Sequence, residues 1–276
     1  MSIEQTKDMA VVGFSSGRRD SYDIVIGADG LHSGVRSLVF GPEQQYVRDL
    51  GYLTGLFTVP NRLKLDSWML GYVEPNYSAG VHSIRNNSEA MAALSMPGDR
   101  SDYDHRDIRS QKALLRKHMS HMAWEVPWLL DQMDEAEDFY FASCSQVHMP
   151  TWSAGRIALL GDAAFCPSPT SGQGTTLAIV GAYVLAGELA EAGSYATAFA
   201  QYETKMRKYV TATQKMGADN AKHFIAQSRF QVWMQQQILR ALPHLPGKAL
   251  MMRKTMQIIN GIDLPVYPKM VLNLGT

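Results

Sequence analysis

Apolar residues run consecutively in two places along the chain and alternate with polar ones in several others. Asp23-Ile24-Val25-Ile26-Gly27-Ala28 and Ile157-Ala158-Leu159-Leu160 are the continuous runs, the pattern of strands covered on both faces as in a parallel sheet. The first is predicted to close a hairpin, with strands Ala10–Phe14 and Tyr22–Ala28 around a turn through Ser15–Asp20. Leu31, Val35, Leu38 and Val39 follow at helical spacing and stop at Gly41-Pro42, so Asp29-Gly30 sits on a strand-to-helix corner. From about Gln44 to Val147, short alternating segments separated by Pro, Asn and Gly predict an antiparallel sheet. One helix interrupts it, with Ile108, Leu115, Met119 and Met122 on one face behind Asp104 and Asp107. Phe139–Pro150 reads as a strand leading back toward the first domain. Beyond Ile157–Leu160, Gly161 to Ser171 is a predicted loop and Gln173 to about Glu191 a helix of small and apolar residues. The remainder is predicted helical. Phe199, Tyr202, Met206 and Tyr209 form one stripe, and Phe230, Trp233, Met234, Ile238 and Leu242 another, both read as core faces.

Composition narrows the class. At 276 residues, 46% hydrophobic and 19% charged, the chain is an ordinary globular protein with material for one large or two modest domains. Lys+Arg and Asp+Glu balance at 26 each, which gives no pull toward nucleic acid or an anionic membrane. The apolar runs are strand-length, so no transmembrane segment is expected. The N-terminus lacks the basic start and apolar stretch of a signal peptide. Cys144 and Cys166 form no CxxC and suit a reducing compartment, so the expected location is cytoplasmic.

The two corners carry the chemistry. A helix N-terminus offers unpaired N–H groups and positive potential, and glycines let the backbone approach a phosphorylated cofactor. A short carboxylate at a strand end accepts hydrogen bonds from sugar-like hydroxyls. Singly, Asp29-Gly30 also fits a plain turn. Taken together, "GADGLHSGVR" (Gly27–Arg36) and "GRIALLGDAAFCPSPTSGQG" (Gly155–Gly174) resemble the paired signature of the FAD-dependent aromatic hydroxylases, the single-component flavoprotein monooxygenases. Asp29, Gly30, Ser33 and Arg36 match that family's Asp-Gly motif. Gly161, Asp162, Ala163, Ala164, Pro169, Gly172, Gln173 and Gly174 match its Gly-Asp motif.

The resemblance implies an α/β fold: an incomplete Rossmann-like FAD-binding domain over residues 1–45 and 148–192, an inserted, mainly antiparallel β-sheet substrate domain over 46–147, and C-terminal helices over 193–276. It implies FAD as cofactor, with Gly161 among the cofactor-binding residues, Asp162 hydrogen-bonding the ribityl chain, and Gly172, Gln173 and Gly174 opening a helix beneath the pyrimidine edge of the isoalloxazine. Asp29, Gly30 and Arg36 are then expected near the cofactor or the nicotinamide donor. The implied reaction uses NAD(P)H and O2 to hydroxylate an aromatic or polyketide-like small molecule. No general base and no Ser-His-Asp arrangement stands out, so no catalytic residue is assigned. Two alternatives remain open: another flavin oxidoreductase of the same fold, or a non-catalytic binding remnant unable to hold FAD alone.

Some positions depart from the family pattern. Phe165 stands where a His is common, Thr176 where an Asn is frequent, and Val180-Gly181 replaces a usual acidic pair. The family also begins with a strand, GxGxxG and helix that bind the FAD pyrophosphate, and no GxGxxG occurs in this chain. "GFSSG" (Gly13–Gly17) reads as a hairpin turn. The expectation is a chain that starts inside the FAD domain: a truncated form, half of a split protein met by a complementing or self-associating chain, or a remnant. His118 and His121 share a helix face but lack a third ligand, so no metal is expected. Cys166 reads as a packing residue. The Met-rich, basic Lys248–Pro265 reads as a helix on the core or against a partner, with membrane contact as the alternative.

Overall fold

The computed structural model describes residues 1–241 and 248–268. The chain opens with a three-stranded antiparallel meander, β1 (Ser2–Gln5), β2 (Ala10–Gly13) and β3 (Arg19–Tyr22). Gly13–Gly17 is indeed the turn between β2 and β3, closed by Phe14 N–H to Arg18 O (2.9 Å) and Gly17 N–H to Phe14 O (3.0 Å). The predicted hairpin is otherwise corrected. The partner of Ala10–Gly13 is the polar Arg19–Tyr22, and the apolar run forms a separate strand, β4 (Val25–Gly27), in another sheet. Because β1 and β3 are mostly exposed, no apolar periodicity announces them. Helix α1 (Gly34–Val39) follows, with Ser33 at its N-cap.

The middle of the chain folds as β5 (Val47–Pro60), β6 (Met69–Glu74), β7 (Tyr77–Ile84), β8 (Glu89–Pro97), α2 (Ile108–Met119), α3 (Val126–Glu135) and β9 (Tyr140–Val147). Its strands form one five-stranded sheet in the order β6-β7-β8-β5-β9. Alternation decides which face is covered: Leu53, Phe57 and Val59 of β5, Ala79 and Val81 of β7, and Ala90, Ala92, Leu94 and Met96 of β8 are buried with Leu115, Met119, Leu129 and Met133 of the helices. The Asp107 side chain caps α2, accepting from Ser110 N–H (3.1 Å). Ile108, expected on the inner face, is 53% exposed in the first turn, and Met122 is buried beyond the helix end. Helix α3 was not anticipated. Pro127 looks like a breaker in the sequence but stands in the first turn, where a missing N–H costs nothing.

The rest comprises β10 (Ser153–Ala154), β11 (Ile157–Leu159), α4 (Asp162–Phe165), α5 (Gly174–Glu191), α6 (Tyr195–Phe224), α7 (Arg229–Ala241) and α8 (Lys248–Ile259). Strand β11 pairs in parallel with β4, Ile157 opposite Val25 and Leu159 opposite Gly27. A Cβ on Gly27 would stand 2.7 Å from Leu159 Cδ2 and 2.8 Å from Val35, so glycine lets α1 close onto this sheet. The first aromatic stripe behaves as expected: Phe199, Tyr202, Met206 and Tyr209 of α6 are buried with Trp152, Leu159, Phe165 and Val184. The second is a correction. Phe230, Trp233, Met234 and Ile238 of α7 are exposed, while Val232, Gln235 and Gln237 are the half-buried positions, and Leu242 lies outside the described residues. Gln235 Nε2 donates to His223 O (2.8 Å), so a polar side of α7 turns inward.

The chain divides into two compact units, one of Met1–Arg48, Ser145–Asn220 and Ala249–Thr276, the other of Asp49–Cys144 and Ala221–Lys248. Residues 193–276 are shared between them. Among the described residues no helix is long and apolar enough to cross a membrane.

Candidate cofactor site

Strands β4 and β11 run side by side, and each ends in one of the two corners. Leu160 N–H donates to Gly27 O at 2.9 Å, carrying the parallel pairing one step past β11. Asp29-Gly30 and Gly161-Asp162 therefore leave the sheet from the same, carboxyl-terminal edge, all within the first unit. That edge is where open α/β sheets bind ligands.

At the first corner the Asp29 carboxylate is engaged. Its Oδ1 accepts from Ser33 Oγ (2.5 Å) and its Oδ2 from Val35 N–H (3.0 Å). Ser33 Oγ in turn accepts from Arg36 N–H (2.9 Å). Aspartate and serine together satisfy the start of α1, a helix too short to persist unaided. Gly30 holds a φ of +81° at the bend. The Arg36 guanidinium is fully buried, donating to Ala163 O (3.0 Å) and Leu31 O (2.6 Å) and lying 3.4 Å from Glu43. It is a strut from one corner to the other.

At the second corner Asp162 opens α4 after Gly161, whose φ is +62°. Asp162 is half-buried. Loss of solvent pushes its carboxyl above the ordinary carboxylate range, while a hydrogen bond with the Cys166 thiol pulls the other way. Cys166 itself is buried, its thiol directed at Ser145 O (3.6 Å), in keeping with a packing role.

The loop that follows is held from behind. Ser168 is buried with a φ of +75°, a left-handed conformation that costs a non-glycine residue on the order of 1–3 kcal/mol. Its carbonyl accepts from Ser171 N–H (3.2 Å) and Ser171 Oγ (2.8 Å), and Thr170 Oγ1 donates to Gly217 O (2.8 Å). Gln146 Nε2 donates to Pro167 O (3.0 Å) and Gln214 O (2.7 Å), and Gln214 Nε2 to Val147 O (2.6 Å). His148 Nε2 lies 2.9 Å from Gln146 Oε1. Burial, then the charge of Arg48, pushes the His148 imidazole below its ordinary pKa, so its neutral form donates to that amide oxygen. Gln146, His148 and Gln214 were not singled out from the sequence. For Gln146 and His148 the one signal is that polar residues interrupt the buried segment "SCSQVHM".

The loop delivers Gly172, Gln173 and Gly174 to the start of α5. Gly172 has a left-handed φ of +63° and nothing within 4 Å of where a Cβ would stand, and Gly174 is equally open. Gln173 Oε1 is buried and has no hydrogen-bond partner. Helix α5 begins with no side-chain cap and no acid in its first turn. The positive potential at such a helix end is worth about 0.3–1 kcal/mol to an exposed anion. The structure thus gathers Gly161, Asp162 and the Gly172–Gly174 start around one loop. Asp29, Gly30 and Arg36 stand behind it as the neighbouring corner.

Elsewhere, His121 lies 3.7 Å from Glu74 and edge-on to the Tyr77 ring. No group of three metal-ligating side chains occurs among the described residues. In the second unit Trp68, Met69, His82, Ile84 and Arg85 line an open hollow of about 730 Å³.

Residues 14–216 match the model of the FAD binding domain family. An uncharacterized protein of Mycobacterium tuberculosis (strain ATCC 25618 / H37Rv) is 46% identical over 220 residues, which is 79% of this chain and 59% of that protein. A flavin-dependent monooxygenase of Legionella longbeachae serogroup 1 (strain NSW150) is 39% identical over 268 residues, 97% of this chain and 67% of that protein. Among solved structures, the crystal structure of tetracycline destructase Tet(55) is similar with a TM-score of 0.78 and 36% identity, over 97% of this chain and 68% of that one. The chain thus spans 59% of the length of its mycobacterial relative.

Proposed function

The chain belongs to the FAD-dependent aromatic hydroxylase family, the single-component flavoprotein monooxygenases, and from that premise we propose that it works as an FAD-dependent monooxygenase, hydroxylating an aromatic or polyketide-like small molecule with NAD(P)H and O2. The observation that carries this reading is the pairing of two strand-to-helix corners on one parallel edge, the second running into the open, glycine-flanked start of α5.

The residues present fit the cofactor. Asp162, desolvated and partnered by a thiol, would accept hydrogen bonds from ribityl hydroxyls, which would stabilise its charged form. Gln173 Oε1, buried without a donor, calls for an N–H such as the pyrimidine ring of a flavin carries. Gly172 and Gly174 leave backbone open to close approach, and the N-terminus of α5 favours the negative charge of a reduced flavin. Arg36 acts at one remove, fixing the Ala163 carbonyl beside Asp162, and Asp29 does so by capping α1. When bound, FAD would supply the redox chemistry, by which two electrons from NAD(P)H let one atom of O2 enter an electron-rich substrate while the other leaves as water.

Support for an aromatic or polyketide-like substrate comes from the likeness to a tetracycline destructase. Strand β4 pairs with β11 along one edge, and no strand among the described residues pairs with its other. That edge suits a complementing parallel strand, from further chain or from a second molecule.

Titrating the purified chain with FAD and following flavin absorbance and fluorescence tests the cofactor. Substrate-stimulated NAD(P)H oxidation with isotopic oxygen transfer from O2 into a phenolic product tests the reaction. Flavin uptake with NAD(P)H oxidation but no oxygen transfer would leave a reductase. A chain that stays colourless at saturating FAD would overturn the reading for this chain alone.

A further inference from the structure

Helix α7 is amphipathic with its apolar side outward. Phe230 is 66% exposed, Trp233 56%, Met234 40% and Ile238 52%, and Leu239 adds a fifth exposed apolar side chain. The first four fall at i, i+3, i+4 and i+8, one stripe along three turns, and none of the helix's residues is buried. The helix lies against β6, which starts at the exposed Met69 and is preceded by the exposed Trp68. An apolar surface of this extent on a globular unit marks a contact site.

The charge around it says what kind of contact. The segment Ala221–Ala241 of this unit holds no Asp or Glu and three Lys or Arg residues. Two of them, Arg229 and Arg240, are exposed at the two ends of α7, and Lys222 lies just upstream. Between the arginines the polar residues are all glutamine: Gln231, Gln235, Gln236 and Gln237. A second copy of this face would bring arginine against arginine whether the two helices ran parallel or antiparallel. An anionic partner meets no like charge on α7 itself, which carries no Asp or Glu. A helix with Phe and Trp on one side and cations flanking it, in an acid-free stretch, has the make-up of an interfacial helix lying in the headgroup region of a bilayer.

We propose that α7 docks the protein on an anionic lipid surface, with Phe230, Trp233 and Ile238 entering the headgroup–acyl boundary and Arg229 and Arg240 meeting lipid phosphates. The mode is peripheral, because no described helix can span a bilayer. This inference is independent of FAD binding. It gives the whole chain, overall neutral, a local preference that its net charge conceals.

Flotation of the full chain with vesicles of equimolar phosphatidylglycerol and phosphatidylcholine tests it, with tryptophan emission as a second readout. The expected result is co-flotation, a blue shift of emission, and binding weakened at least about tenfold on pure phosphatidylcholine or in about 0.5 M salt. The double substitution Phe230→Ser with Trp233→Ser should abolish flotation. Arg229→Gln with Arg240→Gln should weaken it severalfold on anionic vesicles, and the Arg→Lys pair should restore it. All these side chains are exposed, so circular dichroism and Tm should match the parent. Failure to float on anionic vesicles, or equal flotation of the Phe230/Trp233 variant, would overturn the proposal. So would concentration-dependent dimerisation lost in that variant with no vesicle binding, which would give the face to a second copy instead.

Discussion

The two corners share a design and differ in what remains available. Each sets an aspartate just past a parallel strand and just before a helix. Asp29 has both carboxylate oxygens taken by Ser33 and Val35 of its own helix start, whereas Asp162 is half-buried beside a thiol, with its carboxyl pushed upward by loss of solvent. An aspartate at a strand end is therefore a cap or a ligand group according to whether nearby N–H and O–H donors satisfy it. The first corner is finished by its own backbone. The second has a thiol beside its carboxyl and lacks the paired donors of the first.

The strongest way to break this contrast is to remove what joins the corners. Arg36→Ala leaves Glu43 and two buried carbonyls short of a partner and should cost about 3–5 kcal/mol in urea unfolding, with flavin retention lost along with the fold. Next in size, Asp162→Ala should lower FAD affinity by roughly ten- to hundredfold, the loss of a charge-assisted hydrogen bond worth about 1.5–3 kcal/mol, with unfolding little changed. His121→Ala, at a site in the other unit, should leave FAD affinity untouched. Equal effects of the two substitutions would sink the assignment. Asp29→Ala should do the reverse of Asp162→Ala: about 1 kcal/mol lost in stability through the uncapped α1, and a smaller change in FAD affinity.

The finest test is pH. Burial raises the Asp162 carboxyl above its unfolded value of 3.8, so ionisation destabilises the folded, cofactor-free chain. That penalty is absent below the unfolded value and complete above the raised, folded one. Asp162→Asn should thus show a slightly higher Tm than the parent near neutrality, with the gap closing as the pH falls toward the unfolded value. The same pair of measurements on Asp29→Asn should show no such gain, because the amide offers one acceptor oxygen to two donors, Ser33 Oγ–H and Val35 N–H.

The corners were legible as bends because their signal is local: aspartate and glycine directly after an apolar run mark a strand-to-helix turn. Strand β3 was misplaced because Arg19–Tyr22 carries no apolar pattern, and the eye moves on to the buried run at Val25–Gly27. Helix α3 was hidden by Pro127. The wall behind the loop was illegible for another reason. Gln146 and Gln214 are satisfied by backbone carbonyls far along the chain, at Pro167 and Val147, and no spacing reveals that. The stripe on α7 shows the limit of periodicity: it established that the helix has an apolar side, and not that the protein itself covers it.

The Arg36 strut also governs how the molecule breathes. Helix α1 has six residues and would fray within nanoseconds on its own. Tied through its guanidinium to Ala163 O, it cannot swing out without withdrawing a buried partner from α4. The two corners should therefore open as a single unit of hydrogen exchange, with the amides of Ser37–Phe40 and those of Ala164–Phe165 deuterating at one common rate. A ligand that touches only the Asp162 loop would then slow exchange in α1, a helix it never meets.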